Sequence, residues 1–196
     1  LDGRLKYQII PYLQQVFAEF SIPMLFISHS LQELRLMTDE VLVLERGKTA
    51  RQMATEELAR SSLGSSGRGY VNLLDLESPE DSGRLLRYRW GKVSLIVVKT
   101  GSPAGGQFAL NSRDILLFKK HPEATSARNM LPCTVRRLYE TEWLTGVELD
   151  CQGQSLIAEI VPQSVEEMNI RPDSEAVAVF KASAFRKLYS ASDSGL

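Results

Sequence analysis

Leu63-Gly64-Ser65-Ser66-Gly67-Arg68-Gly69 is the stretch that divides this chain. Its glycines and serines have nothing to bury and little to stiffen the backbone, which is the composition of a flexible linker. Before it, apolar residues recur with the period of helices and short buried strands; after it, the runs shorten and alternate. The expected fold is an α/β segment over residues 1–62, a linker over 63–69, a mostly β domain over 70–190 and a tail over 191–196.

On the N-terminal side, Leu5, Ile9, Tyr12, Leu13, Val16, Phe17 and Phe20 follow three- and four-residue spacing, predicting one buried helical face from Arg4 to Phe20. Pro11 within it should bend the helix or free a carbonyl. Pro23 then introduces Met24-Leu25-Phe26-Ile27, expected to be a buried strand that ends in Ser28 and His29. Ser30 and Glu33 have capping-box spacing, so a helix should start directly after His29. Val41–Leu44 reads as a strand, Glu45–Lys48 as a turn, and Thr55–Ser62 as a short helix capped by its threonine.

Beyond the linker, strand-like runs occupy Leu85–Trp90, Val93–Val98, Ile115–Phe118, Thr134–Leu138, Gly146–Leu149, Ser155–Ile160 and Ala176–Phe180, separated by turn residues. They predict a small barrel or a pair of barrels. Ser164 to Glu167 repeats the capping signal, so one short helix should interrupt the strands. No sequence repeat is evident between the two halves, which leaves a structural duplication open. Arg84, Arg87 and Arg89 read as a solvated strand face.

With 196 residues and a formal net charge of -1, the chain lacks the basic footprint of a duplex-binding protein, and nucleic acid is not an expected partner. No apolar run is long enough to span a bilayer, and the first residues do not have signal-peptide form, so a cytosolic location is expected. Cys133 and Cys151 show neither CxxC nor Cys/His spacing and are expected to be inert reduced thiols with no metal role. Leu1-Asp2 leads straight into a helix without an initiator methionine, which reads as a fragment.

A histidine between a buried strand and a capped helix sits where α/β sheets open a polar crevice for ligands. Residues 22–33, IPMLFISHSLQE, with Asp39, VLVLERG and Lys48, resemble the switch-histidine region of ABC transporter ATPases. Leu1-Asp2 resembles the end of that family's D-loop, and Arg4-Leu5-Lys6 with Ile10-Pro11-Tyr12-Leu13 resembles its molybdate-importing branch. The resemblance implies that His29 contacts the γ-phosphate of ATP and that Asp2 couples two ATP sites across a homodimer of ATPase subunits. It further implies Mg²⁺ and a transmembrane permease partner, at the cytoplasmic face of the inner membrane.

The sequence contains no G-x-x-x-x-G-K-[ST] phosphate loop, and the family's Q-loop, signature and Walker B segments are also missing. These 196 residues are therefore not expected to hydrolyse ATP alone; an intact parent is.

Thr125-Ser126-Ala127-Arg128-Asn129-Met130-Leu131 resembles the TSARN opening of molybdate-binding (MOP) domains, and residues 164–174 and 176–183 follow that family in order. With residues 70–123 this implies an OB-like regulatory domain of the TOBE/MOP type. A tetrahedral dianion needs hydroxyls, backbone N–H groups and cations converging on it, and Ser126, Arg128, Lys181 and Ser183 supply such groups. The implied ligand is molybdate or tungstate, in a site completed by a dimer. A stand-alone storage or sensor protein, and an importer subunit for sulfate, iron or polyamine, are the alternatives.

Overall fold

The computed structural model describes residues 3–20, 22–64, 67, 69–100 and 103–190. They form two compact units, divided along the chain between Ser62 and Leu63.

In the first unit α1 (Gly3–Phe20) runs through Pro11 without interruption. Ile10 is buried, but Tyr12, Val16, Phe17 and Phe20 of the expected core face are exposed. α1 packs on α2 (Leu31–Met37), where Gln14 Nε2 donates to Leu36 O at 2.6 Å. A second expectation also fails. Residues 24–27 are extended but unpaired, with Leu25 85% and Ile27 84% exposed, because no described strand lies beside them to form a ladder.

α2 begins where its capping signal places it. Ser30 Oγ accepts from Glu33 N–H at 3.4 Å, while the Glu33 carboxylate turns to the Ser28 hydroxyl at 2.6 Å. β1 (Glu40–Glu45) and β2 (Lys48–Ala54) form a hairpin around Arg46 and Gly47, both at positive φ as a two-residue turn requires. β2 was not singled out in the sequence, since KTARQMA carries no alternating apolar pattern. It also displaces the expected cap of α3 (Thr55–Ser61): the extended strand runs to Ala54, which takes the N-cap position, and Thr55 lies inside the helix with its N–H on Asp39 O at 2.8 Å.

The second unit contains ten strands in two five-stranded antiparallel sheets. The first half contributes β3 (Val71–Ser82), β4 (Leu85–Trp90), β5 (Val93–Val98), β6 (Gly106–Asn111) and β7 (Leu116–Phe118). The second half contributes β8 (Asn129–Glu140), β9 (Thr145–Cys151), β10 (Gln154–Ile160), β11 (Glu175–Phe180) and β12 (Phe185–Ser190), with α4 (Pro162–Glu167) between β10 and β11. α4 starts two residues before its capping serine, because Pro162 supplies the fixed φ favoured at the first helical position.

The halves are duplicates that exchange their last strands. The sheet orders are β12-β6-β3-β4-β5 and β10-β9-β8-β11-β7. β7 therefore leaves its own half to pair with β11, and β12 leaves its half to pair with β6. In each half the twelve-residue first strand shifts register part-way, between Glu77 and Glu80 in β3 and between Val135 and Arg137 in β8, so that it can turn from one partner to the other. Leu74, Leu95, Phe108, Ile115, Val135, Leu149, Leu156 and Phe180 belong to one apolar core that both halves line. The outward positions of β4 are Arg87 and Arg89, exposed as expected, with Arg89 on Glu77 at 2.8 Å.

The expectation of reduced thiols is corrected. Cys133 and Cys151 lie on the adjacent strands β8 and β9, their Cα atoms 4.4 Å apart, and they form a disulfide. That is the spacing of directly opposed residues in a non-hydrogen-bonded pair, and it lets two side chains on the same buried face meet. Sequence spacing alone did not give this register.

Two buried asparagines tie the halves together. From β3, Asn72 donates to Ile157 O at 2.9 Å and Leu110 O at 3.3 Å, and accepts from Ile157 N–H at 2.7 Å. From β8, Asn129 donates to Ile96 O at 2.8 Å and accepts from Ile96 N–H at 2.7 Å. Each amide thus caps the main chain of the other half's edge strand, β10 or β5. Replacing either by leucine leaves a buried donor and acceptor without partners, each costing about 1–3 kcal/mol. Asn72→Leu and Asn129→Leu should each lower unfolding stability by about 2–4 kcal/mol, measured by urea denaturation followed through Trp90 and Trp143, which both lie in this unit.

Candidate functional site

The TSARN and KAS segments arrive side by side because β8 and β11 pair up to their ends. Asn129 opposite Phe180 is the last pair of that ladder, and Arg128 and Lys181 are the next residue on each strand. Asn129 and Phe180 point inward, so the two-residue period turns Arg128 and Lys181 to solvent. Ser126 and Ser183 lie two residues further along their segments and are also exposed. Lys181 precedes a 3₁₀ turn, Ala182–Ala184, whose last N–H returns to Lys181 O at 3.1 Å. Between them, Ala127 is buried and donates to Thr125 Oγ1 at 3.1 Å.

This end of the second sheet therefore presents two cations and two hydroxyls. Among the described residues none of the four side chains has a hydrogen-bond or ion-pair partner. Unpaired cations with hydroxyls beside them suit an oxyanion.

His29 is exposed at the bend before α2, flanked by Ser28 and Ser30, whose hydroxyls are engaged in the cap. Asp2 lies outside the described residues. These residues do not fit a nucleotide with Mg²⁺ by themselves. The first unit offers one exposed imidazole, and no glycine-rich turn among its described residues aims backbone N–H groups at a phosphate. Among the described residues no group of three or more His, Cys, Asp or Glu side chains could hold a metal ion, and no helix is long and apolar enough to cross a membrane.

A second polar cluster had not been expected. Glu159 of β10 is buried, and its Oε2 accepts from Tyr70 N–H at 2.7 Å and from the Ser112 hydroxyl. Its Oε1 lies 3.8 Å from the Arg113 guanidinium and takes no hydrogen bond. The only hint in the sequence was an acidic residue in an otherwise apolar strand. A third polar region is the cleft beside the disulfide, lined by Lys119, Lys120, His121 and Gln152. There the side-chain hydrogen bond from Arg136, followed by the Gly153 N–H at 2.7 Å, holds the Asp150 carboxyl below the usual carboxylate range.

Comparison with known proteins follows these features. Residues 125–185, from the TSARN segment to the start of β12, match the model of the TOBE domain. These residues belong to the TOBE domain family. The chain is 32% identical over 179 residues to the molybdenum import ATP-binding protein ModC of Shigella flexneri, covering 88% of this chain and 51% of that protein. It is 30% identical over 192 residues to ModC 1 of Azotobacter vinelandii, covering 94% and 53%. The chain thus spans about half the length of the curated relatives it matches, and it is homologous to their C-terminal region. In structure, the chain resembles the cytoplasmic molybdate-binding protein ModG crystallised with molybdate, at a TM-score of 0.50 and 21% identity over 62% of this chain and 96% of that one. That likeness shows a shared fold.

Gly69, just before β3, has φ +76°, and a Cβ there would lie 2.8 Å from Asn111 Oδ1 and 3.0 Å from Glu159 Oε2. Gly153 has φ +89° with open space around it. Gly153→Ala should therefore cost only the backbone term, about 1 kcal/mol, and Gly69→Ala about 2–4 kcal/mol, compared by urea unfolding of the two variants.

Proposed function

We propose that this chain is the C-terminal part of the ATP-binding subunit of an ABC importer for molybdate or tungstate, with its TOBE domain acting as an oxyanion-sensing regulator. The observation that carries the reading is the 30–32% identity to ModC proteins along 88–94% of the chain. It is supported by the position of Arg128 and Lys181 just past the last β8–β11 pair, with Ser126 and Ser183 exposed two residues further on.

In the intact protein two such subunits form a homodimer at the cytoplasmic face of the inner membrane and drive permease subunits. ATP and Mg²⁺ supply the phosphoryl chemistry, held by parts of the ATPase domain that these residues do not include. His29, exposed at the head of α2, is the group this chain offers toward the γ-phosphate, and Asp2 is the group it offers to coupling between the two nucleotide sites. The TOBE domain contributes by binding: an oxyanion held between Arg128 and Lys181 of paired chains shifts the dimer only if its affinity differs between open and closed states. Such coupling gives an importer feedback from its own cargo.

Calorimetric titration of the full chain with molybdate, tungstate and sulfate, alongside its oligomeric state, tests the sensing role. Saturable molybdate or tungstate binding by a dimer is expected. Arg128→Ala and Lys181→Ala should each weaken it by roughly tenfold or more, since a charge-assisted hydrogen bond is worth about 1.5–3 kcal/mol. A well-folded dimer that binds none of the three anions would overturn it.

A further inference from the structure

The strand registers align the two halves of the second unit residue by residue. Asn72 opposite Leu110 corresponds to Asn129 opposite Phe180, and Ile96 corresponds to Ile157. On that alignment Val71 corresponds to Arg128, Asn111 to Lys181, Arg113 to Ser183, and Val98 to Glu159. The open cationic end of the second half therefore has a counterpart in the first half, and that counterpart is the buried cluster around Glu159.

The two ends carry opposite charge arrangements. At the second-half end, two cations face solvent and the position matching Glu159 is the uncharged Val98. At the first-half end, Val71 and Asn111 replace those cations, and a carboxylate from the other half enters instead. The groups that receive it are a backbone N–H from Tyr70, the hydroxyl of Ser112 and the guanidinium of Arg113, which also donates to Gly67 O at 3.0 Å. Amide, hydroxyl and cation converging from different directions form the donor set of an oxyanion seat. Gly69 leaves room for the carboxylate, since any Cβ there would crowd Oε2. The fit is incomplete, because Oε1 is buried without a hydrogen bond.

We propose that Glu159 is a built-in anion. It fills, in the first half, a donor set that lies beside Gly69, Asn111 and Arg113, the positions matching Ser126, Lys181 and Ser183 of the open end, so that removing it creates a further site for a tetrahedral dianion of the sulfate and molybdate class. The inference rests on the proposed function only for what the open counterpart binds; the filled seat stands on its own geometry. Its consequence is asymmetry: of two pseudo-equivalent ends, one is committed to holding the halves together and one is left for a free ligand.

The test uses the full chain with Glu159→Ala, Glu159→Gln and the double variant Glu159→Ala/Arg113→Ala, titrated calorimetrically with molybdate and with sulfate. Tryptophan fluorescence melting is followed with and without each anion. Glu159→Ala should take up one equivalent of oxyanion per chain more than the wild type, and its melting temperature should rise with added oxyanion by more than the wild type's. If Glu159→Ala is unfolded in plain buffer, refolding on addition of molybdate or sulfate is the expected result. The double variant should lose the gain. Glu159→Gln, whose amide keeps the seat filled, should show none.

A Glu159→Ala chain that folds but binds no additional anion, or one that stays unfolded at saturating oxyanion, overturns the proposal. So does an equal gain in Glu159→Gln. A wild type that binds no oxyanion beside a Glu159→Ala variant that binds one would sink the sensing role proposed above and leave the built-in anion standing.

Discussion

Two side-chain amides, Asn72 and Asn129, set the geometry of the larger unit. An edge strand leaves main-chain donors and acceptors unpaired, and burying them without partners is costly. Each asparagine satisfies such a pair on the edge strand of the other half, through Ile157 and Ile96 respectively. With these contacts in place the two sheets share one core, and the register of every neighbouring residue follows. Arg128 points outward because Asn129 must point inward, and Lys181 does so because it follows the buried Phe180. The candidate oxyanion site is thus a by-product of the clamp one residue away.

The sequence was most legible where burial is one-sided and local. β4 and β5 alternate, Ser30 and Glu33 mark a helix start, and both appear where their patterns put them. It was least legible where partners are distant. β3, β6 and β12 were not singled out, although β3 is one of the two longest strands, because polar residues and a bulge break its alternation. The disulfide and the Glu159 cluster both depend on which strand lies beside which. The duplication stayed hidden because matched positions such as Val98 and Glu159 differ in chemistry while sharing a place in the fold. Ser126, Arg128, Lys181 and Ser183 were singled out from motif order, and the ladder between β8 and β11 ends just before Arg128 and Lys181.

The first unit shows the reverse problem. Its periodicity predicted a buried helical face and its apolar run a buried strand, yet Phe17, Phe20, Leu25 and Ile27 are exposed. Periodicity reports what a segment is suited to bury, and burial itself requires a partner surface.

The exchange of β7 and β12 bears on how the chain acquires its structure. As the polypeptide emerges, β7 is available long before β11, the strand it pairs with, and β6 waits for β12, the last strand described. Neither sheet can be completed by its own half, so the unit cannot fold as two successive modules during synthesis. Its contacts are non-local in sequence, which slows folding and leaves early strands exposed to wrong partners. The same arrangement makes β12 the closing stitch: a nascent chain stopped short of Phe185 lacks the outer strand of the sheet that holds β6, β3, β4 and β5.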